Sequence, residues 1–196
     1  MAKKKKRRGL TFYEKENKVK PGIWKEVFNY AFYIVTVILI AFVLVFLFGM
    51  RVSTIGVSME PTLTHGQEVF VNRISYLMFQ PKVGDVVVFR PNGNEKSHYY
   101  IKRVVATPGD TVQVKNGTLY VNNEEVTVFD YDKIENAGLA ENAYLLGEKE
   151  FFVMGDNCNN SEDSRSGNIG SVHRDDIVGR AWFRFAKENI PLGLID

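Results

Sequence analysis

The sequence holds one cysteine, Cys158, so no intrachain disulfide is open to it and its stability must come from its core. Prolines are few, and Pro61, Pro81, Pro91 and Pro108 each fall between apolar runs, where the missing backbone N–H breaks no strand ladder. The three histidines, His65, His98 and His173, stand in polar turns and loops outside any recognisable catalytic signature, and each reads first as a surface residue. The polar stretch GDNCNNSEDSRSG, residues 155–167, lacks calcium-loop spacing. Counted from Asp156, it has Cys158, Ser161 and Gly167 where an oxygen ligand, the glycine and the glutamate are needed. There are no internal repeats. These absences exclude a disulfide-stapled module, a repeat array and an EF-hand site, and nothing in the sequence calls for a metal or organic cofactor.

Charge is missing altogether from Val27 to Phe48, 22 residues in which Asn29 and Thr36 alone are strongly polar. As a helix this run spans about 33 Å, enough to cross a bilayer core, and it shows no polar stripe of the kind a buried soluble helix carries. It is too long for the apolar region of a typical removable signal peptide, which favours a retained anchor. Upstream, residues 1–26 carry ten Lys/Arg against three Glu, and the rest of the chain carries fifteen basic residues against twenty acidic. A basic arm of this kind can bind nucleic acid, but here it abuts the apolar run and fits the positive-inside rule, which argues against a nucleic-acid partner. The expected organisation is a cytoplasmic tail (1–26), a single transmembrane helix (27–48) and an extracytoplasmic domain (49–196), with Trp24, Phe28, Tyr30 and Tyr33 at the cytoplasmic interface.

After the anchor the pattern changes to strands. The stretches 68–74, 84–90, 99–106, 111–114 and 118–121 cluster β-branched and aromatic residues between Gly, Pro, Asn and Asp, and Asn116-Gly117 marks a hairpin. Two more strands are expected, one in FFVM and one over 176–185. The acidic segment between them, about 127–150, reads as a small cap or insertion with a short helix around 133–145, weakened by Gly138. The fold class is therefore mainly β, an antiparallel β-sheet domain with a small cap, tethered by one N-terminal helix. The apolar Tyr76-Leu77-Met78-Phe79 reads as core by its pattern alone, and beside an anchor equally as a membrane contact.

Two residues stand out as chemistry. Ser58 lies in GVSMEPTL, ten residues beyond the apolar run, between a glycine-containing approach and a Pro-Thr turn. A serine hydroxyl needs an adjacent base to become a nucleophile. Strand alternation puts Lys102 on one face with Tyr100, Val104 and Ala106, and a lysine among apolar neighbours is pushed towards its neutral form. Taken alone, Lys102 fits more readily a lysine whose stem covers apolar surface while the ammonium reaches water. Cys158 has no base beside it in the sequence to make it a thiolate.

Four stretches in order, SMEPTL (58–63), GDVVVFR (84–90), YIKRVVATPGD (100–110) and GDNCNNSEDSR (155–165), set behind an N-terminal anchor, resemble the motif boxes of the type I signal peptidases. The single anchor and the short segment between the last two boxes are similar to the Gram-positive members. This resemblance implies a membrane-bound serine endopeptidase with a Ser-Lys dyad, Ser58 as nucleophile and Lys102 as neutral base. It implies Ser161 as the hydroxyl orienting the lysine, Asp163 with Arg165 as a supporting ion pair, and an oxyanion hole at the Ser58 N–H and the Gly56 position. Val52, Thr54, Met59, Tyr100 and Ile101 match the positions of its substrate pockets. Its substrates would be preprotein signal peptides cut after A-x-A-like small residues, and its surroundings the lipid bilayer and the secretion translocon. The chain departs from the pattern at Gly56, where some members carry serine, at Ala106-Thr107 in place of Gly-Leu, and at Cys158-Asn159 in place of Arg-Asp. A precursor-binding relative without the dyad and a self-cleaving repressor-type protease are the alternatives. The presence of both Ser58 and Lys102 argues against the first, and the anchor, with no DNA-binding head, against the second.

Overall fold

The computed structural model describes residues 22–94, 96–127, 130–187 and 190–195. Most of the basic tail, residues 1–21, lies outside the described residues. The chain divides into two units, Met1–Val43 and Leu44–Asp196.

The first unit contains most of α1 (Gly22–Phe48), 27 residues long. It begins five residues before the uncharged run, because nothing in Ile23-Trp24-Lys25-Glu26 breaks a helix. At about 40 Å it exceeds a bilayer core. Its apolar side chains are exposed from Ile23 to Val45, and among the described helices it alone is long and apolar enough to cross a membrane.

The second unit is built from antiparallel strands. In chain order these are β1 (Gly49–Ser53), β2 (Glu68–Asn72), the one-turn helix α2 (Ser75–Met78), β3 (Val86–Phe89), β4 (Tyr100–Ala106), β5 (Thr111–Lys115) and β6 (Thr118–Val121). There follow β7 (Glu124–Glu125), β8 (Tyr144–Leu145), β9 (Glu150–Met154), β10 (Val172–His173), β11 (Ile177–Arg184) and β12 (Gly193–Leu194). The main sheet runs β1-β2-β11-β3-β4-β9-β10 with β12 also on β11, and the smaller one runs β7-β6-β5-β8.

The strands at the centre of the main sheet are covered on both faces. In β3, Val86 and Val88 pack with Val52, Met59, Val69 and Ile101, while Val87 and Phe89 pack with Tyr76, Val104, Phe151 and Val153. That explains why the sequence reads as an unbroken VVVF instead of alternating. The small sheet contributes Val112, Val114 and Leu119 to a third cluster with Val105, Ala106, Phe152 and Met154. Alternation along β4 breaks before its end. A register shift against β9 between Val104 and Ala106 turns Ala106 into the same cluster as Val105, so Lys102 shares its face with Tyr100 and Val104 but not with Ala106.

The hairpin at Asn116-Gly117 forms with both residues left-handed, φ 54° and 83°, as a tight two-residue turn requires. The short helix expected around 133–145 does not. Residues Gly138–Glu141 make one 3-10 turn, and Tyr144–Leu145 pair as β8 with β5. Gly138 adopts φ 53° and lies directly against the Arg165 carbonyl, so the chain there is shaped by docking on the 155–165 loop. The YLMF stretch divides between its two readings. Tyr76 is buried and donates to Asp85 Oδ2 at 3.0 Å, whereas Leu77, Met78 and Phe79 are exposed.

Candidate active site

Lys102 sits in the middle of β4, paired across to Val87 of β3, and is 3% exposed. Burial lowers its pKa from the ordinary lysine value of 10.5 to about 8, with the carboxylates of Asp163 and Glu162 pulling it back up and Arg165 pushing it further down. Its Nζ lies 2.7 Å from Ser58 Oγ. Ser58 itself belongs to a turn after β1, half-buried, and Met59 and Leu63 beside it are wholly buried and fix that turn in the core.

The segment approaching Ser58 is fastened residue by residue. Thr54 N–H donates to the Gln67 carbonyl at 2.9 Å, and Gly66 N–H returns a bond to the Thr54 carbonyl at 2.6 Å. Gly56 N–H donates to His65 Nδ1 at 2.9 Å. From the other side Asn157 holds two successive carbonyls, its backbone N–H donating to Ser58 O at 3.1 Å and its side chain to Val57 O at 3.3 Å.

Gly56 therefore departs from its expected place in the oxyanion hole, since its amide is committed to His65. Its φ of 83° favours glycine, although nothing lies within 4 Å of where a Cβ would stand. Backbone conformation, not lack of space, explains why no side-chain donor is found there. Among the described residues the Ser58 N–H meets no hydrogen-bond acceptor.

Behind the pair, two buried guanidinium–carboxylate pairs brace the loop 155–165. Arg165 meets Asp163 in a two-point contact, Nε to Oδ1 at 2.9 Å and Nη2 to Oδ2 at 2.8 Å, and also donates to the carbonyls of Asn136 and Cys158. Arg103 meets Asp156 in the same manner, both bonds at 2.8 Å. The Thr62 hydroxyl donates to Asp156 Oδ2 at 2.5 Å and links this pair to the serine's turn. Sequence reasoning missed the Arg103–Asp156 pair. The alternation that turns Lys102 to one face turns Arg103 to the other, and a buried arginine there requires a carboxylate.

Ser161 Oγ is buried and, among the described residues, has no hydrogen-bond partner, Lys102 included. Gly155 lies between it and the nucleophile, and a Cβ at 155 would collide with both Ser58 O and Ser161 Oγ. Cys158 is buried, donates from Sγ to the Asp132 carbonyl at 3.3 Å, and its thiol is pushed up by burial, which leaves it a core residue.

A groove of about 330 Å³ opens beside the pair, lined by residues 54–58 and 97–102 with Asn160 and Glu162. Of the expected pocket residues, Thr54, Tyr100 and Ile101 line it, while Val52 and Met59 pack in the core with Ile101. Glu162, unremarked in the sequence, accepts from the Tyr100 hydroxyl at 3.4 Å and from Asn168 Nδ2 at 3.1 Å. His98 also lines the groove, and His173 pairs with Asp175 at 3.4 Å.

The sequence profile of the signal peptidase, peptidase S26, family matches residues 27–186. The chain belongs to the signal peptidase family. It is 37% identical over 167 residues to signal peptidase I P of Bacillus subtilis subsp. natto, covering 78% of this chain and 84% of that protein. Against signal peptidase IB of Staphylococcus aureus strain Mu50 it is 36% identical over 170 residues, with 76% and 85% covered. A crystal structure of a signal peptidase I from Enterococcus faecalis V583 aligns at 26% identity and a TM-score of 0.40 over 52% of this chain and 97% of that one. The chain is thus a hydrolase of the signal peptidase type, with one N-terminal helix that is a candidate membrane span.

Proposed function

We propose that this signal peptidase cleaves preprotein signal peptides with a Ser58–Lys102 dyad. The observation that carries the reading is the 2.7 Å separation of Lys102 Nζ and Ser58 Oγ at a lysine that is 3% exposed. With Lys102 neutral, the Oγ–H donates to the amine lone pair. As Oγ attacks the scissile carbonyl carbon, its proton passes to Nζ, and the negative charge on the carbonyl oxygen is met by the uncommitted Ser58 N–H. The resulting ammonium then protonates the leaving amine, so the C–N bond breaks with an acyl group left on Ser58. A water molecule, deprotonated by Lys102, releases it. Asp163–Arg165 and Arg103–Asp156 support the loop, and Ser161, whose hydroxyl is buried without a partner, orients the lysine once substrate excludes water.

We further propose that the groove lined by Thr54, Tyr100 and Ile101 takes the small side chains of an A-x-A-like site. We assign residues 27–48 to the bilayer, the basic tail to the cytoplasm and the β domain to the outside, with the exposed Leu77, Met78 and Phe79 touching the lipid surface. The test uses the full chain in detergent or liposomes with a preprotein carrying an A-x-A-like site. Ser58→Ala and Lys102→Ala should each lower turnover by at least about a thousandfold, and substantial activity in either variant would sink the dyad.

A further inference from the structure

We infer that His65 is a positioning residue for the nucleophile, its imidazole Nδ1 standing in for a backbone carbonyl at the last rung of the ladder that leads to Ser58. This rests on Ser58 being the nucleophile.

The β1–β2 ladder pairs Val52 with Val69 and Ser53 with Glu68, then continues past both strands through the bonds between Thr54 and Gln67 and between Gly66 and Thr54. Two residues further on, Gly56 N–H points where the next carbonyl of the opposite segment would have to be. The chain has already turned at Gly66, φ 69°, and among the described residues no main-chain carbonyl accepts from Gly56 N–H. His65 Nδ1 fills the place at 2.9 Å. The His65 carbonyl in turn accepts from Lys187 Nζ at 2.5 Å, which ties the histidine's own backbone to the C-terminal stretch.

Asn157 fixes the Val57 and Ser58 carbonyls from the other side, so His65 is the hold on this segment nearest to Ser58 along the β1 approach. Without an acceptor at 65, Gly56, a glycine in a left-handed conformation, gains freedom two residues before Oγ. Small displacements of a reacting atom are costly to rate. The bond also fixes the tautomer, since Nδ1 must be unprotonated to accept, which leaves Nε2 as the N–H.

Asparagine offers Oδ1 at the same number of bonds from Cα as Nδ1, so His65→Asn keeps the acceptor and His65→Ala removes it. In the full chain assayed on a preprotein, His65→Ala should lower kcat by about fivefold to tenfold, the worth of one hydrogen bond. His65→Asn should return kcat to within about twofold of the parent, with the same thermal midpoint in both variants. Hydrogen exchange of a peptide covering residues 54–58 should speed up in His65→Ala and not in His65→Asn. Parent-like kcat and exchange in His65→Ala, or an asparagine variant as slow as the alanine one, overturns the proposal. Ser58→Ala in the same assay separates the two levels. If it is inactive while His65→Ala is parent-like, only the role of His65 falls; if it still turns over, the nucleophile assignment falls and this inference with it.

Discussion

The lysine and serine are set apart from ordinary polar residues by what surrounds them. Lys102 is held in a central strand with Val87, Tyr100 and Val104 about it, and its pKa of about 8 follows first from that burial. As the proposed base, Lys102 would act when neutral, so kcat/KM should fall about tenfold per pH unit below about 8 and level off above it. A profile flat into the acid range would contradict a lysine base. The same shift has a stability sign. In the unfolded chain a lysine binds its proton up to about 10.5, so the folded state resists protonation and carries the full penalty, about 3 kcal/mol, below pH 8. Stability should therefore rise between about pH 8 and 10.5. Lys102→Met, which removes the penalty, should be inactive yet about 2 to 3 kcal/mol more stable at pH 7, the gain shrinking as pH rises through that window. Thermal or denaturant unfolding against pH checks both parts.

At the scale of elements, the loop 155–165 is pinned near each end by a buried ion pair, and each pair reaches a different part of the fold. Arg103 brings in β4 and, through Thr62, the serine's turn, whereas Arg165 brings in the 136–139 segment of the cap. Removing Asp156 takes from Arg103 the buried carboxylate that it meets at two points. Asp156→Ala should cost about 3 to 5 kcal/mol in denaturant unfolding and release the serine's turn, so that kcat falls with it. These connections also mark what was legible in the sequence. Strands β2 to β6, β9 and β11 were readable because their apolar runs are bounded by strong turn residues, and the box-like stretches drew attention to Ser58, Lys102, Ser161, Asp163 and Arg165. The very short pairings β7, β8, β10 and β12 have too few residues to show a period. The same holds for β1, which buries only Val52. The cap's 3-10 turn follows from where Arg165 places its carbonyl, a tertiary fact no local pattern records. The Gly56–His65 bond was equally hidden, because a turn histidine nine residues away gives no sign of which amide it will meet.

Considered as a whole molecule, the chain is a basic tail, an apolar helix that is a candidate membrane span and a β domain, and the proposed topology rests on how charge is distributed along that order. Replacing the six consecutive Lys/Arg at residues 3–8 with Gln should increase the fraction of molecules with the β domain on the cytoplasmic side, read by protease accessibility in intact and opened cells. The burial of Lys102 has a consequence for how such a protein adapts to its surroundings. In the proposed topology the domain meets whatever acidity the habitat imposes, while the pKa of Lys102 is set first by its burial. Shifting this range by changing the burial would mean repacking three adjacent strands. Glu162 on the groove wall is the one solvent-facing group among the charges acting on the lysine, so the quickest route for selection to move the optimum runs through that position.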